Sequence, residues 1–357
     1  MFGFSVFLNE DLSNTTVKYI KLMKKTGFSG IFTSLHIPED DAKKYRTRLI
    51  ELGQIAHENQ LELMVDISGE ALERAGFHFD KIEALTEIGV TGLRMDYQIS
   101  MEQIAQVSHA IKISLNASTL TLEEVEKLHQ LGADFSNLQA WHNYYPRPET
   151  GLDEVLFYEK NHRLKKLGFK IAAFVPGDAN LRGPLFAGLP TLERDRGAAP
   201  FSSALRIRSN SAVDIVYIGD GGLLPATIQQ FANYVKTDVI ELRVKVISDE
   251  YFHLVEREHI NRQDAARDCL RSAEARFWDV PVIQAEPVRP RKIGAITIDN
   301  QLYQRYMGEI QIMRRELADD EKTNIVGYVI DDDLPLIEQI GPGQKFRIVK
   351  WIGEKDD

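Results

Sequence analysis

From its start to about residue 237 the chain alternates short apolar runs with amphipathic stretches. That rhythm constrains the fold more than any single residue does. Eight runs read as strands: 2–8, 30–37, 61–68, 92–96, 112–118, 135–142, 170–176 and 213–219. The segments between them, such as NTTVKYIKLMKKT and LEEVEKLHQL, space their apolar residues for one face of a helix. Gly27, Gly89, Gly132 and Gly168 stand between a helix and the next strand, where the backbone often turns left-handed. Short apolar strands separated by helices belong to a parallel sheet, and eight of them predict a closed (β/α)8 barrel of the TIM type. A doubly wound open sheet would show a Gly-rich fingerprint after the first strand, where FLNED stands instead.

The 357 residues exceed the roughly 250 of such a barrel, and the remainder changes character. Beyond Thr237, the runs ELRVKVIS, RKIGAITID, TNIVGYVID and KFRIVKW alternate or are β-branched. They predict a β-rich module over residues 238–357, following a barrel over 1–237. One helix is predicted within it, over residues 260–278, and carries the only cysteine, Cys269, as a packing residue. A single cysteine excludes an intrachain disulfide framework. A net charge of −10 argues against a general nucleic-acid binder, which needs clustered cations. No stretch of about 20 apolar residues suggests a membrane span, and the opening MFGFSVFLNED lacks a basic leader, so a soluble cytoplasmic protein is expected.

Four of the strand candidates run out into aspartate: Asp66, Asp96, Asp178 and Asp220; a fifth ends in Asn116. Active sites of these barrels form at the C-terminal mouth, where such residues would gather. Asp66 and Asp96 come from consecutive strands about 4.8 Å apart. Their carboxyls can therefore stand within the roughly 5 to 9.5 Å that glycosidases use, one as acid and one as base or nucleophile. Asp178 is a third catalytic candidate, as acid or as a holder of its loop. Asp220 lies beside a proposed anion site, where a permanent charge would repel phosphate, so a backbone-organising role suits it better.

The loop over residues 176–197 carries Arg182 and Gly183, then Thr191 and Glu193 opening a short helix. An arginine fork and backbone N–H groups at a helix start can bind phosphate or carboxylate. The stretch WHNYYPRPETG gathers His142, Asn143, Tyr145 and Arg147 beside aromatic rings, a mixture suited to a sugar; Trp141 reads as packing. His36 ends the second strand and is a further lining candidate. Lys112 and Lys170 fall at the N-terminal ends of their strands, which argues against Schiff-base chemistry. His36, Asp66, Asp96 and His142 could converge on a cation, but no HxH or HExxH spacing is present, and neither a metal nor another cofactor is expected.

The stretches GFSVFL, HNYYPRPETGL and RGPLFAGLPTLERDRG resemble the MupG family of phosphomuramidases, and the likeness extends over almost the whole chain. It implies a TIM barrel followed by a cyclophilin-like domain. It also implies a cytoplasmic exo-glycosidase that releases 6-phospho-N-acetylmuramic acid from a disaccharide with N-acetylglucosamine during peptidoglycan recycling. Such a phosphorylated amino-sugar disaccharide bears a phosphate and a lactyl carboxylate, which Arg147 and Arg182 would meet. Asp195 departs from the family pattern, where histidine is expected before Arg196. The C-terminal module would cover the mouth, add side chains to its own or a partner subunit's site, or serve a homo-oligomer. Two other readings use the same mouth: a phosphosugar isomerase or epimerase, and a sugar-phosphate-binding regulator without turnover.

Overall fold

The computed structural model describes residues 1–35, 42–95, 98–210 and 212–353. His36 and Asp96 lie outside the described residues. The chain divides into two compact units, Met1–Gln229 and Gln230–Asp357.

The first unit is a closed barrel of eight parallel strands in chain order. They are β1 (Phe2–Ser5), β2 (Gly30–Ser34), β3 (Glu62–Ile67), β4 (Gly92–Met95), β5 (Lys112–Asn116), β6 (Leu138–Trp141), β7 (Lys170–Val175) and β8 (Ile215–Ile218). Between them run α1 (Asn14–Thr26), α2 (Ala42–Glu58), α3 (Gly69–Arg74), α4 (Glu83–Glu87), α5 (Met101–Val107), α6 (Leu122–Gln130), α7 (Glu154–Lys166) and α8 (Pro200–Asn210); α9 (Pro225–Thr237) follows β8. Local sequence fixes these joints. Ser13 caps α1 by accepting from the Thr16 N–H, and Gly27 ends it with a φ of 100°, a conformation that a side chain would strain.

The barrel interior is aromatic. Phe32, Trp141, Phe174 and Tyr217 pack with Met64, Ala172 and Ile215 in one buried group. Tyr217 fits because β1 and β2 present glycines to it: a Cβ on Gly3 or on Gly30 would stand 2.2 Å from its ring carbon or hydroxyl. Trp141 is 1% exposed and belongs to this packing. Strand β6 is shorter than its apolar run predicts. Phe135–Asn137 forms a 3-10 turn, because the Asp134 side chain accepts from the Ser136 N–H and starts a local cap.

The second unit contains a seven-stranded sheet in the order β10-β15-β9-β14-β12-β13-β11. Its strands are β9 (Ile240–Val246), β10 (Glu258–Ile260), β11 (Cys269–Arg271), β12 (Ala295–Asp299), β13 (Ile310–Met313), β14 (Thr323–Val329) and β15 (Lys345–Lys350). The predicted helix over 260–278 is not formed. Cys269 and Leu270 instead pair with Met313 and Ile312 and are buried in the sheet, so long-range pairing overrides the helix preference of the Ala- and Arg-rich run.

Candidate active site at the barrel mouth

Strand register builds the centre of the site. Ser34 of β2 stands opposite Asp66 of β3, and Asp66 opposite Arg94 of β4, so three polar side chains share one row. In a parallel barrel residues in register point to the same side, here the interior. Asp66 and Arg94 are each 4% exposed. The Arg94 Nη1 donates to Asp66 Oδ1 at 2.6 Å, and the Ser34 Oγ donates to Asp66 Oδ2 at 3.1 Å. Arg94 Nη2 donates to Asn143 Oδ1, which carries the connection across to the end of β6. Withdrawing both charges from water is costly, and an ion pair with added hydrogen bonds offsets that cost. Both Asp66 oxygens act as acceptors, so the carboxylate is held in a fixed orientation in the mouth.

The neighbouring aromatic is Tyr144, half-buried, whose ring meets Phe174 edge-on at 5.2 Å and Phe32 at 6.0 Å. It gives the mouth an apolar surface beside the Ser34–Asp66–Arg94–Asn143 chain. Arg94, Ser34 and Tyr144 were not among the candidates read from sequence. The available signal for Arg94 was a charge at the third position of the otherwise apolar strand GLRM.

The other predicted residues separate from this centre. Asp220 is 1% exposed, and its carboxylate accepts from three backbone N–H groups: Gly177 at 2.8 Å, Leu189 at 3.0 Å and Arg182 at 3.0 Å. It organises the β7–α8 loop. Asp178 accepts from the Leu224 N–H at 2.6 Å and the Thr227 hydroxyl at 2.5 Å, and so caps the start of α9. His142 is fully buried behind β6 rather than in the mouth. Its ring bonds Ser118 Oγ at 3.0 Å and Asn161 Oδ1 at 2.6 Å, and burial pushes its pKa down to about 4. Asn116, half-buried, accepts from the Ser118 N–H at 3.0 Å and shapes the turn after β5.

The two motif-rich loops are tied together by a pair absent from the sequence candidates. Glu193 accepts from the N–H groups of Glu149 and Gly151 and from Arg196. The Arg196 guanidinium foremost, with those N–H groups, draws the Glu193 carboxyl down to about 2 against the effect of burial. Arg196 in turn donates to the carbonyls of Tyr145, Arg147, Ala187 and Gly188. The short helix at Glu193–Asp195 therefore has its acidic side chain committed to the fold, and the Glu193 N–H at its start donates to the Leu152 carbonyl. Asp195, 2% exposed, pairs with Arg206. Tyr145 contributes its backbone to this brace, and the Arg147 side chain is exposed.

Arg182 lies elsewhere on the rim. Its guanidinium carbon sits 3.6 Å above the Phe7 ring, and with Gly183 it lines a cavity of about 780 Å³ between the β1–α1 and β7–α8 loops. Among the described residues no three His, Cys, Asp or Glu side chains gather as a metal site. No helix in them is long and apolar enough to cross a membrane.

A barrel mouth with a buried carboxylate–guanidinium pair suits many chemistries, and relatives narrow the choice. The model of the 6-phospho-N-acetylmuramidase N-terminal region matches residues 2–233, and that of the C-terminal region matches residues 240–349. A crystal structure of a conserved protein of unknown function from Enterococcus faecalis is 51% identical, with a TM-score of 0.92 over 98% of this chain and 96% of that one. A structure of an uncharacterized B. cereus protein is 25% identical, with a TM-score of 0.78 over 98% of this chain and 99% of that one. None of the curated proteins matches the chain. With both regional models matched across nearly its full length, the chain belongs to the MupG family of 6-phospho-N-acetylmuramidases.

Proposed function

We propose that the chain is a cytoplasmic, exo-acting glycoside hydrolase of peptidoglycan recycling. It cleaves the bond between 6-phospho-N-acetylmuramic acid and N-acetylglucosamine. The observation that carries this reading is Asp66: a carboxylate buried at the mouth, held by side chains of both neighbouring strands, in a chain whose family is that of phosphomuramidases.

Glycoside hydrolysis passes through a positively charged, oxocarbenium-like sugar, and it needs one proton donor and one base or nucleophile. Asp66 takes the second role, because its oxygens already act as acceptors from Arg94 and Ser34. Arg94 fixes the carboxylate's orientation, and Asn143 braces Arg94 from across the mouth. Asp96, two residues beyond Arg94 in sequence, is the proposed acid that protonates the leaving oxygen. Tyr144 offers an apolar face to the C–H side of the sugar ring. Arg147 is the proposed contact of the lactyl carboxylate. Asp178, Asp220 and His142 are assigned to the scaffold, since their polar atoms are taken up by backbone or buried partners.

Incubating the protein with the phosphorylated disaccharide should release N-acetylglucosamine. If neither that compound nor its unphosphorylated form is cleaved, the hydrolase reading is wrong. Chelator-sensitive conversion of a free phosphosugar would instead favour an isomerase.

A further inference from the structure

The last pair between β6 and β7 is Trp141 with Ala172, so a continued register would set Asn143 opposite Phe174. Thr191 stands between them instead. Its N–H donates to the Phe174 carbonyl, and the Phe174 N–H donates back to Thr191 Oγ1, each at 2.9 Å. The Thr191 hydroxyl then donates to the Asn143 carbonyl at 2.8 Å. A hydroxyl accepts one bond while donating another, and the β-branch limits its rotamers, so threonine suits a wedge between two strand ends. Thr191 is fully buried, and water does not compete for these bonds.

The wedge is itself held on both sides. Tyr145 donates its N–H to the Pro190 carbonyl, and Leu152 donates its own to the Thr191 carbonyl, both at 2.9 Å. Arg196 crosses the same seam, with Nη2 on the Tyr145 and Arg147 carbonyls and Nη1 on those of Ala187 and Gly188. The loops after β6 and β7 are thus zipped into one unit, and Asn143 is where that unit meets the barrel interior. With its carbonyl fixed by Thr191, Asn143 offers Oδ1 to Arg94 Nη2, while Nη1 of the same guanidinium reaches Asp66 at 2.6 Å. The links are directional hydrogen bonds and the guanidinium is a rigid planar fork, so a shift at one of its edges is felt at the other.

We propose that Thr191 is a positioning residue for the hydrolysis: through Asn143 and Arg94 it sets the orientation of the Asp66 carboxylate. The proposal rests on the hydrolase reading for the reaction, and it is tested both with and without turnover. Thr191→Val loses the hydroxyl but keeps the side-chain shape and the backbone bonds to Phe174 and Leu152. Its kcat for the phosphorylated disaccharide should fall about ten- to hundredfold, with KM within about threefold of wild type. Thr191→Ser should restore most of that loss. Thr191→Cys, with a weak thiol donor, should show the same split at a smaller loss and serves if the valine variant does not fold. In an Asn143→Ala background, Thr191→Val should cost less than about twofold more. A fall of the same size with and without the Asn143 side chain would overturn the proposal, as would a change in KM alone. Without substrate, NMR of the arginine side chains should resolve the two Arg94 Nη signals in wild type and Thr191→Ser, and average them in Thr191→Val. Arg94 signals unaltered by Thr191→Val would also overturn it. A wild type that cleaves no disaccharide would sink the hydrolase reading, and the Arg94 signals would still decide whether Thr191 holds the guanidinium.

Discussion

The carboxylates at β3 and at β7–β8 occupy equivalent places in the barrel, yet they are used in opposite ways. Asp220 gives its oxygens to three backbone N–H groups, and Asp178 gives its own to the start of α9. Asp66 instead accepts from the side chains of Ser34 and Arg94, which reach it from the adjacent strands. A carboxylate bonded to backbone holds a loop in shape. One held by neighbouring side chains in the barrel interior is oriented toward whatever enters the mouth. A strand-end aspartate is therefore informative only once its partners are known.

The sharpest way to strain this comparison is to remove the partner at the centre. Arg94→Met removes the guanidinium that pairs with the buried Asp66 carboxylate, and breaking one side of a buried pair typically costs about 3–5 kcal/mol. Chemical denaturation should show a loss of that size, and Asp66→Asn/Arg94→Met should recover part of it. If the double variant is as unstable as the sum of the singles, the two residues are not coupled.

A smaller loss is expected on the scaffold side. Asp220→Ala leaves the N–H groups of Gly177, Arg182 and Leu189 without their acceptor. At about 1–3 kcal/mol for each group left unsatisfied, and with water reaching some of them, a loss of about 3 kcal/mol is expected. Limited proteolysis should then cut within residues 177–189. Resistance equal to wild type would contradict the scaffold role.

The mildest test uses pH. Glu193 has its folded pKa drawn below the ordinary value of 4.5 to about 2, so its stabilisation is present above 4.5 and lost as pH falls toward 2. His142 has its folded pKa lowered from 6.5 to about 4, so an unfolded chain takes up that proton first. Stability should therefore fall as pH drops from 6.5 to 4, and the fall should shrink in His142→Gln. A thermal-unfolding series across these two windows measures both effects.

The barrel was legible because its signals are local and repeated. Helix-closing glycines such as Gly27 and Gly89, both with positive φ, recur before apolar strands, and strand parity follows from the pleat. The polar site was legible only as residue types at strand ends. Asp66 could be picked by position. Arg94 could not be weighed against Asp96 without the register that sets it beside Asp66 and within reach of Asn143. His142 looked available in HNYYPRPETG because no local pattern announces Asn161, which meets it from α7. Glu193 and Arg196 are three residues apart in a conspicuous motif, yet both reach a loop more than 40 residues earlier, Glu193 at Glu149 and Gly151 and Arg196 at the Tyr145 and Arg147 carbonyls. The helix expected around Cys269 failed for the same reason: its pairing partner, β13, is distant in sequence. Local chemistry shows in a sequence; what the long-range partners do with it does not.

The measurement that tests the central contrast most directly is kcat/KM for the phosphorylated disaccharide in Asp66→Asn and Asp178→Asn, each checked for folding by circular dichroism. Asn keeps the shape and one acceptor at both positions and removes only the carboxylate. A carboxylate that takes part in the reaction should cost about 10³-fold or more when neutralised, and one that caps a helix should cost less than about tenfold. The account predicts the large loss at Asp66 and the small one at Asp178. A folded Asp66→Asn protein within tenfold of wild type, or an Asp178→Asn protein that loses as much, would contradict it.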